Sequence, residues 1–577
     1  MLHCVAVTPR PARADELGPP EAGDPDGLLH LLSAQWHGLL PGVHRLGFDD
    51  GHVLLTLCIG DLRPMLRAQH FDAEEIVVDA ATSPGNDPVS GAATVAPLDP
   101  VDLSKALARF ARPGTRITVP APAAALHAAL ESQGFRLRRP DGAPTYSGDF
   151  APAWTVRRHP AMVATPGHCV VVGAGLAGAA VAASLARRGW RVTVLDAGAQ
   201  AASGASGVPA GVFAPHVSSD DALLSRLTRA GLRLTWQQLT THLREGTDWR
   251  GGGVLERRAP GDDRLPAGWH ADGPNASWRA TADRLIDQGL AVDTTALWHE
   301  HAGWARPARL VAAWLARPGI SLRTRARVAR IERAGEPPCW TVLDADGRCL
   351  AAADRVVVAA GFESAALAGE QPLHRVRGQL AWGRMDLAAG LADVLPTAPL
   401  NGDGHLIAHV PDADGAFWLT GATFDRGRDD TATSTVDTEA NLARLARLHP
   451  GAHALLRPDP TTGRTRPEDP ARSGGRAGGG GPDAGRTLRA WAGVRCASAD
   501  RRPLVGPLHA DAPDGPWLCT AMGSRGLSFA VLCAELLAAR WHGEPLPLPA
   551  GLAQALDTAR TTRPPRANGR PGATLTR

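Results

Sequence analysis

The stretch "VVVGAGLAGAAVAASLARRGWRVTVLD", from Val170 to Asp196, decides the fold of the larger part of this chain. It predicts a buried strand, a glycine-rich turn, a helix that ends near Gly189, and a second strand that ends at an acid. Gly173, Gly175 and Gly178 follow the pattern G-x-G-x-x-G. In that pattern the glycines permit a tight turn, bring the backbone close to a pyrophosphate, and allow the helix to pack closely on the strand.

Both ends of this unit suit a bound dinucleotide. The positive end of the helix dipole would face the phosphates, and Asp196 at the end of the second strand can accept hydrogen bonds from a ribose diol. An apolar run of this length is also compatible with a membrane span, but that alternative explains neither the glycine spacing nor the β-branched residues at its start. We therefore predict a Rossmann-like α/β unit and no membrane partner.

Three later stretches favour FAD over NAD as the dinucleotide. "GASGVPAGVFAPH" (204–216) is rich in small residues, and "RVVVAAGFES" (355–364) is a strand that ends in small residues. "WLCTAMGSRGLSFAVLCAELLAARWHGEPLP" is a strand, a glycine-rich turn and a helix whose N-terminus could face the flavin's pyrimidine oxygens, which gain negative charge on reduction. The cofactor-binding residues predicted in these stretches are Ala205, Ser206, Gly361, Gly523, Ser524, Arg525 and Gly526.

Composition sets broad limits on the class of protein. The chain has 577 residues, 44% of them hydrophobic and 21% charged, with a formal net charge of +3. These values are typical of globular proteins and give no basic signature of a nucleic-acid-binding protein. None of the eight cysteines forms a C-x-x-C pair, and the N-terminal stretch lacks the pattern of a secretory signal. We expect a cytoplasmic protein with reduced thiols and no metal site.

The segment ahead of the dinucleotide unit has its own α/β pattern. "HVLLTLCIGD" and "EEIVVDA" predict strands, and "DLSKALARFARPG" predicts a helix stopped by Pro113 and Gly114. "TRITVPAP", "ALHAALESQGF" and "RLRRP" continue as strand, helix and strand. Segments of this kind in alternation indicate a domain of the α/β class.

These patterns divide the chain into a leading domain and a larger second domain. We predict a leading domain over 1–146, a linker over 147–167, a second domain over 168–558, a flexible glycine-rich loop over 472–486 and a disordered tail over 559–577. In the second domain, the FAD-binding parts are expected at about 168–216, 300–375 and 490–545, and the substrate parts at about 217–299 and 376–470.

Five short motifs resemble one known family. They are "GASG", "RGQ" (377–379), "GATFD" (421–425), "GVRCASADRRPLVGP" (493–507) and "GSRGL". In this order they resemble the bifunctional tRNA 5-methylaminomethyl-2-thiouridine biosynthesis proteins, whose oxidase half is similar to glycine oxidase and D-amino-acid oxidases. The resemblance spans 168–556. It implies a Rossmann-like FAD-binding domain with non-covalent FAD, a discontinuous mixed α+β substrate domain, and a preceding methyltransferase domain.

The leading domain resembles only the second half of that methyltransferase. No glycine-rich loop follows a first strand, and the strand in "LHCVAVTPRP" ends at Thr8 where the family has an acid for the ribose of S-adenosylmethionine. "VDAATSP" keeps Asp79 of the family's motif but loses its aromatic residue. We expect a truncated Rossmann-like remnant that does not bind S-adenosylmethionine. The alternative is a fully bifunctional enzyme whose true start lies upstream.

The resemblance also implies a reaction. The family's oxidase half removes the carboxymethyl group of 5-carboxymethylaminomethyl-(2-thio)uridine at the wobble position of tRNA as glyoxylate, which leaves 5-aminomethyl-(2-thio)uridine. The substrate is thus an N-substituted glycine, and its carboxylate needs an anchor. Arg495 in "GVRC" is the candidate, because the planar guanidinium fork matches a carboxylate.

The remaining polar candidates are less specific. Arg377 and Gln379 are expected to line the same pocket or the flavin edge, while Asp425 is interpreted as a structural cap. His216, His374 and His405 are interpreted as ordinary polar residues.

Two other functions stay open at this point. The oxidase half alone also fits a free amino-acid oxidase of the glycine or sarcosine type, which activity on tRNA against activity on the free amino acid would distinguish. A non-catalytic tRNA-binding protein is a third hypothesis, and the intact flavin motifs argue against it.

Overall fold

The fold is described from a computed structural model of the chain. The residues that the structure describes are 1–17, 27–79, 98–121, 124–156, 164–267, 269, 276–335, 339–369, 371–387, 390–456, 488–509 and 511–562. Within these ranges, no helix is both long enough and apolar enough to cross a membrane.

The leading domain is built from two small sheets with helices beside them. Its strands are β1 (Leu2–Thr8), β2 (Gly42–Phe48), β3 (Val53–Ile59), β4 (Ala73–Val77), β5 (Ala111–Pro120), β6 (Phe135–Arg138) and β7 (Thr145–Phe150). Its helices are α1 (Leu28–Gln35), α2 (Leu62–Arg67), α3 (Pro100–Ala108) and α4 (Ala124–Ser132). One sheet has the order β1-β3-β2 and the other β4-β5-β7-β6, and each combines parallel and antiparallel pairs.

Two predictions for this domain are corrected. Helix α3 starts where Asp99 accepts hydrogen bonds from the first-turn backbone N–H groups, but it ends at Ala108, before Pro113 and Gly114. Those two residues lie inside β5, where the pairing with β4 shifts register and Gly114 adopts a φ of 90°. The linker predicted from residue 147 starts later, because β7 continues to Phe150 and pairs with both β5 and β6.

The second domain contains the remaining strands and helices. The strands are β8 (His168–Val172), β9 (Arg191–Leu195), β10 (Gly211–Phe213), β11 (Trp249–Arg250), β12 (Val254–Arg257), β13 (Ser277–Arg279), β14 (Ala296–His299), β15 (Gly303–Ala305), β16 (Ile320–Arg323), β17 (Arg330–Ala334), β18 (Cys339–Leu343), β19 (Cys349–Ala353), β20 (Arg355–Val358), β21 (Leu373–Arg384), β22 (Leu400–Gly402), β23 (Gly404–Asp412), β24 (Gly415–Gly421), β25 (Asp425–Arg426), β26 (Arg489–Ser498), β27 (Leu504–Pro507) and β28 (Trp517–Thr520). The helices are α5 (Leu176–Arg187), α6 (Leu223–His242), α7 (Ala282–Asp287), α8 (Pro307–Leu315), α9 (Ser364–Ala368), α10 (Leu391–Val394), α11 (Thr435–Leu448), α12 (Pro450–Leu456), α13 (Gly526–His542), α14 (Ala550–Gln554) and α15 (Ala559–Thr562).

A mostly parallel sheet of order β16-β9-β8-β20-β28-β27 forms the first layer of this domain. Strands β8, β9 and β20 read as continuous apolar runs because helices α5 and α13 cover one face and the small sheet β17-β18-β19 covers the other. Both neighbours of β8 are parallel to it, but β9 follows β8 directly in the sequence and β20 comes much later, so the order of the strands changes direction at β8. Ligands bind at such a switch point, beyond the carboxyl ends of the strands.

The second layer is a larger sheet of order β13-β14-β12-β22-β23-β24-β21-β25, with β26 on the other edge of β21. This placement corrects two predicted boundaries. Residues 490–498, expected in the FAD-binding part, lie in β26 of this sheet. Helix α6, expected in the substrate part, packs on α13, so closely that a Cβ on Gly231 would lie 1.7 Å from the Ser528 carbonyl oxygen.

The leading domain docks on α5, α6 and α13 through a buried ion cluster. Glu535 of α13 pairs with Arg187, the last residue of α5, and with Arg188, which caps that helix, at 3.0 Å; Arg45 of β2 approaches the same carboxylate at 4.0 Å. Gln237 of α6 donates to the Arg45 carbonyl at 2.8 Å. A cavity of about 490 Å³ lies at this interface, away from the glycine-rich turn. The two domains therefore share a polar, partly hollow contact.

Several predictions fall outside the described residues. These are the glycine-rich loop over 472–486, residues 80–84 of "VDAATSP", and the tail beyond residue 562. The first four residues of the predicted tail form α15, so its disorder is corrected over 559–562.

Candidate active site

The glycine-rich turn lies at the carboxyl end of β8, and two of its glycines are required by contact. Gly173 has a φ of 108°, and a Cβ there would lie 2.6 Å from the Ala359 carbonyl oxygen. A Cβ on Gly178 would lie 1.8 Å from the Gly173 carbonyl oxygen, so only glycine lets α5 approach the strand. A Cβ on Gly175 would lie 3.1 Å from the Ser206 hydroxyl oxygen. The turn therefore has the shape that the sequence predicts.

Side chains from two neighbouring segments hold this turn. The Asp196 carboxylate accepts hydrogen bonds from the Ala174 N–H at 2.6 Å and from the Gly198 N–H at 2.7 Å. The Ser206 hydroxyl accepts a hydrogen bond from the N–H of Leu176, the first residue of α5, at 3.0 Å. Ser206 thus sits directly at the helix N-terminus, the position at which a phosphate is expected.

The predicted cofactor residues outside the turn border open space. A Cβ on Gly204, Gly361 or Gly523 would meet no heavy atom within 4 Å. Gly361 and Gly523 have φ values of 61° and 58°, a backbone conformation that favours glycine. An open glycine-lined cradle beside a helix N-terminus fits FAD, whose pyrophosphate would lie on Gly175 and Ser206 and whose ribose would lie near Asp196.

The C-terminal turn connects the cradle to the second sheet. The Gly523 N–H donates to the Cys496 carbonyl at 2.8 Å, and the Thr520 hydroxyl donates to the Gly361 carbonyl at 3.0 Å. Arg525 precedes Gly526, the first residue of α13, and burial, followed by the charge of Arg501, lowers its pKa. This turn fixes β26 next to the flavin cradle. Ser524, also in the turn, is exposed.

Arg495 lies on β26, one residue from that link. It is opposite Val376 of β21, and its guanidinium extends across Gly378 to donate to the Thr423 carbonyl at 3.3 Å. A Cβ on Gly378 would lie 1.8 Å from Nη2 of Arg495, so the glycine of "RGQ" makes room for the guanidinium. Burial lowers the pKa of Arg495, and Asp425 partly offsets this effect. Among the described residues Arg495 forms no ion pair, which suits a cation that receives a ligand carboxylate.

Arg377 and Gln379 lie on the opposite face of the sheet from Arg495. Side chains alternate along β21, and Arg495 shares the face of Val376 and Gly378. Arg377 is 0% exposed and binds Asp437 at 2.8 Å and Asp425 at 3.4 Å. The expectation that Arg377 and Gln379 line the substrate pocket is therefore corrected: they form a buried network under helix α11. Asp425 is an ion-pair partner in this network rather than a helix cap.

His405 is a residue of the site that the sequence interpretation missed. It pairs with Gly421, which pairs with Leu380, so it shares the face of Arg495. Its Nε2 is buried and forms no hydrogen bond among the described residues. Burial, together with the nearby charge of Arg495, lowers the pKa of His405 to about 4, so the imidazole is neutral near pH 7.

The other two histidines differ from His405. His374 is exposed, and His216 is partly buried with a pKa lowered by burial and by Arg525. The alternation of side chains along β23 and β24 is the signal that distinguishes His405 from His216 and His374, because it places His405 on the face of the sheet that carries Arg495.

Comparisons with known proteins agree with this geometry. The family of FAD dependent oxidoreductases (DAO) matches residues 168–540. The tRNA 5-methylaminomethyl-2-thiouridine biosynthesis bifunctional protein MnmC of Verminephrobacter eiseniae (strain EF01-2) is 45% identical over 97% of this chain and 91% of its own length. The protein of the same name from Polaromonas sp. (strain JS666 / ATCC BAA-500) is 44% identical over 96% and 85%.

The chain belongs to this MnmC family.

The fold of the chain is also similar to that of a solved structure. An Asp295Cys/Lys303Cys mutant of Amadoriase I from Aspergillus fumigatus matches 69% of this chain and 91% of its own, with a TM-score of 0.51 and 16% identity. At this identity the likeness concerns the fold alone. The protein is thus an FAD-dependent oxidoreductase with the predicted α/β architecture of a Rossmann-like FAD-binding domain and a second, mixed substrate domain.

Proposed function

We propose that this MnmC-family protein oxidises 5-carboxymethylaminomethyl-uridine, with or without the 2-thio group, at the wobble position of tRNA in the cytoplasm. The two relatives carry tRNA 5-methylaminomethyl-2-thiouridine biosynthesis in their names, and each aligns with nearly all of this chain. The products are the 5-aminomethyl nucleoside and glyoxylate. The substrate's reacting part is an N-substituted glycine, which is the chemistry that the candidate site suits.

The observation that carries this proposal is the guanidinium of Arg495 beside the flavin cradle, which has no ion-pair partner in the part of the chain that the structure describes. Gly378 leaves room for it, and its hydrogen bond among the described residues is the one to the Thr423 carbonyl at 3.3 Å. A carboxylate bound to the guanidinium in a bidentate manner would be held at β26, the strand whose Cys496 carbonyl is bonded to the turn at Gly523. The α-carbon of the bound glycine unit would then be directed toward the cofactor.

The protein's own residues contribute position and a dry, polar environment. Oxidation of an amine needs its lone pair, and the neutral His405 imidazole adds no positive charge that would compete for the substrate carboxylate or repel Arg495. Its unbonded Nε2 can accept a hydrogen bond from a substrate N–H at this face. Arg495 would therefore bind the substrate carboxylate, and His405 would bind the substrate amine.

The electron balance is simple. FAD held by Gly175, Ser206 and Asp196 would supply the acceptor for the hydride that leaves the α-carbon, and the amine would lose its own proton to solvent. The C–N single bond becomes an imine, which water hydrolyses, so that the C–N bond breaks and the carbon leaves as glyoxylate. Dioxygen is the class of oxidant that returns an oxidase flavin to its starting state.

Anaerobic flavin reduction tests this proposal. Protein loaded with FAD should lose its flavin absorbance when mixed with tRNA that carries carboxymethylaminomethyl-uridine, and should keep it with tRNA that has unmodified uridine. Bleaching by free glycine or sarcosine alone, with none by the modified tRNA, would instead support a free amino-acid oxidase. A flavin that no amine reduces would overturn both readings.

We further propose that the leading domain does not transfer methyl groups. Strand β1 ends at Thr8, whose hydroxyl donates to the Arg10 carbonyl at 2.6 Å, so the residue at this strand end is not the carboxylate that a ribose would need. Calorimetric titration with S-adenosylmethionine should show no saturable binding. Binding at micromolar concentration, or methylation of the aminomethyl product by this chain, would refute the point.

A further inference from the structure

Phe424 is an exposed aromatic residue on the face of the sheet that carries Arg495. Half of its surface is accessible, 50% by relative exposure. Its ring centre lies 5.8 Å from the central guanidinium carbon of Arg495. A large apolar side chain left in solvent beside a buried cation gains little for folding, which points to a role in binding.

The residues on either side hold Phe424 in place. The Thr423 N–H donates to the Gln379 carbonyl at 3.0 Å, and the Gln379 N–H donates to the Thr423 hydroxyl at 3.0 Å. Asp425 pairs with Arg377 on β21 and forms an ion pair with its guanidinium at 3.4 Å. Because Asp425 faces the buried network, alternation directs Phe424 to the other face, toward Arg495. Arg377 and Gln379 thus act as positioning residues for Phe424.

We propose that Phe424 stacks on the uracil ring of the substrate while Arg495 binds its carboxylate. The inference rests on the proposed function and adds a determinant of specificity. From the carboxyl carbon to the centre of the base, the extended substrate spans four single bonds and half a ring, about 6 Å at ordinary bond lengths. This span is close to the 5.8 Å between the two protein groups. One substrate can therefore contact both.

Stacking suits a base whose edges carry the modification. Every base presents a π-face, so an aromatic side chain holds the wobble base with or without sulfur at its 2-position. Free glycine has no ring and would gain nothing from Phe424. The pair Arg495–Phe424 therefore selects a nucleoside with a glycine substituent over a free amino acid.

The test compares four substitutions at one position. Phe424→Ala and Phe424→Leu remove the ring, and Leu retains apolar bulk, while Phe424→Tyr and Phe424→Trp keep an aromatic face. The substrate is an anticodon stem-loop RNA with carboxymethylaminomethyl-uridine at the wobble position, and the readout is kcat/KM from flavin reduction. Trp154→Ala is the matched control, because Trp154 is an aromatic residue of similar exposure, 54%, in the segment that precedes the second domain.

Loss of the ring should reduce kcat/KM on the RNA by about 5- to 140-fold, the equivalent of about 1–3 kcal/mol of base stacking at 1.4 kcal/mol per tenfold. Phe424→Tyr and Phe424→Trp should keep most of the wild-type kcat/KM, whereas Phe424→Leu should lose it as Phe424→Ala does. Trp154→Ala should have the wild-type kcat/KM. Sarcosine has no base, so Phe424→Ala should reduce kcat/KM on sarcosine by a factor at least fivefold smaller than its reduction on the RNA.

Two results would overturn the stacking role. Phe424→Ala and Phe424→Leu could oxidise the RNA as well as wild type, or Leu could restore activity as fully as Tyr, which would indicate packing alone. Failure of the proposed function has a different signature: wild-type protein would oxidise sarcosine and leave the modified RNA untouched.

Discussion

Arg495→Ala should abolish most activity while the protein keeps its fold and its FAD. The guanidinium is partly buried, forms no ion pair among the described residues, and contacts the Thr423 carbonyl at 3.3 Å and the Phe424 ring, so its removal breaks little of the fold. Truncating one side of a desolvated charge pair costs about 2–5 kcal/mol, or about 30-fold to several thousand-fold in kcat/KM. A small misplacement of the α-carbon adds to the loss, since the reacting atoms must approach within about 3–3.5 Å.

A second substitution tests whether the Arg495 guanidinium must be in its present position, and not only be present. Gly378→Ala keeps Arg495, but the added Cβ would lie 1.8 Å from Nη2 and must displace the guanidinium. The backbone at Gly378 is ordinary for any residue, because its φ is not positive. Gly378→Ala should therefore reduce kcat/KM by at least about tenfold at unchanged FAD content, a loss typical of a misplaced binding group.

The assay is stopped-flow flavin reduction with carboxymethylaminomethyl-tRNA, with flavin absorbance and thermal unfolding as checks on cofactor and fold. Arg495→Lys should recover only part of the rate, because a point charge does not reproduce the planar fork. Binding of the whole tRNA should change little, since phosphate contacts dominate that affinity. Near wild-type oxidation by Arg495→Ala would refute the reasoning, and the substrate carboxylate would then need a different anchor.

Three further predictions concern cofactor and stability. Gly175→Val should purify without flavin, because even a Cβ would lie 3.1 Å from the Ser206 hydroxyl and the valine methyl groups would occupy the pyrophosphate's position; a yellow variant would contradict this. Glu535→Ala should lower the free energy of unfolding by about 3–5 kcal/mol in chemical denaturation, since it removes the ion-pair partner of the buried Arg187 while Arg188 keeps Glu544, and an unchanged midpoint would refute the role of the cluster. The folded pKa of His405 is about 4 against 6.5 for an unperturbed histidine, so its neutral form stabilises the fold above pH 6.5 and this stability is lost as pH falls toward 4. His405→Asn should therefore lose less stability on acidification than wild type, by at most about 3 kcal/mol in the free energy of unfolding. Identical curves of unfolding free energy against pH for the two proteins would contradict this role of His405.

The flavin-binding elements were predictable because their signals are local. The turn at Gly173 and the acid at Asp196 follow from spacing within one strand–helix–strand unit, and the structure places both at the carboxyl edge of the first sheet. The position of β26 was not predictable in this way, because its partner β21 is more than a hundred residues away. A strand's sequence indicates that it pairs but not with which strand.

The substrate side was partly misread for a related reason. The sequence predicts that Arg377 and Gln379 of "RGQ" line the Arg495 pocket or the flavin edge, but alternation along β21 places both on one face and Gly378 on the other. The residue that matters for Arg495 is the glycine. Likewise, the isolation of His405 and the exposure of Phe424 are properties of packing, which the order of residues along the chain does not specify.

The same limit applies to the leading domain. Its strands were found from local alternation, while the ion cluster that docks it joins Arg45 to Glu535, almost five hundred residues apart in the sequence. Proline and glycine commonly end helices, and the sequence therefore predicts that Pro113 and Gly114 stop a helix. In the structure both residues lie in the irregular first part of β5. Tertiary pairing overrode the local signal.

Mass spectrometry of wobble nucleosides tests the central claim most directly. Purified protein with FAD and dioxygen is incubated with tRNA at the carboxymethylaminomethyl stage, the tRNA is digested, and glyoxylate is measured in the same reaction. The account predicts that the carboxymethylaminomethyl nucleoside disappears, that the 5-aminomethyl nucleoside appears in equal amount, and that one glyoxylate forms for each. An unchanged wobble nucleoside, in protein that holds FAD and oxidises free glycine or sarcosine, would contradict it.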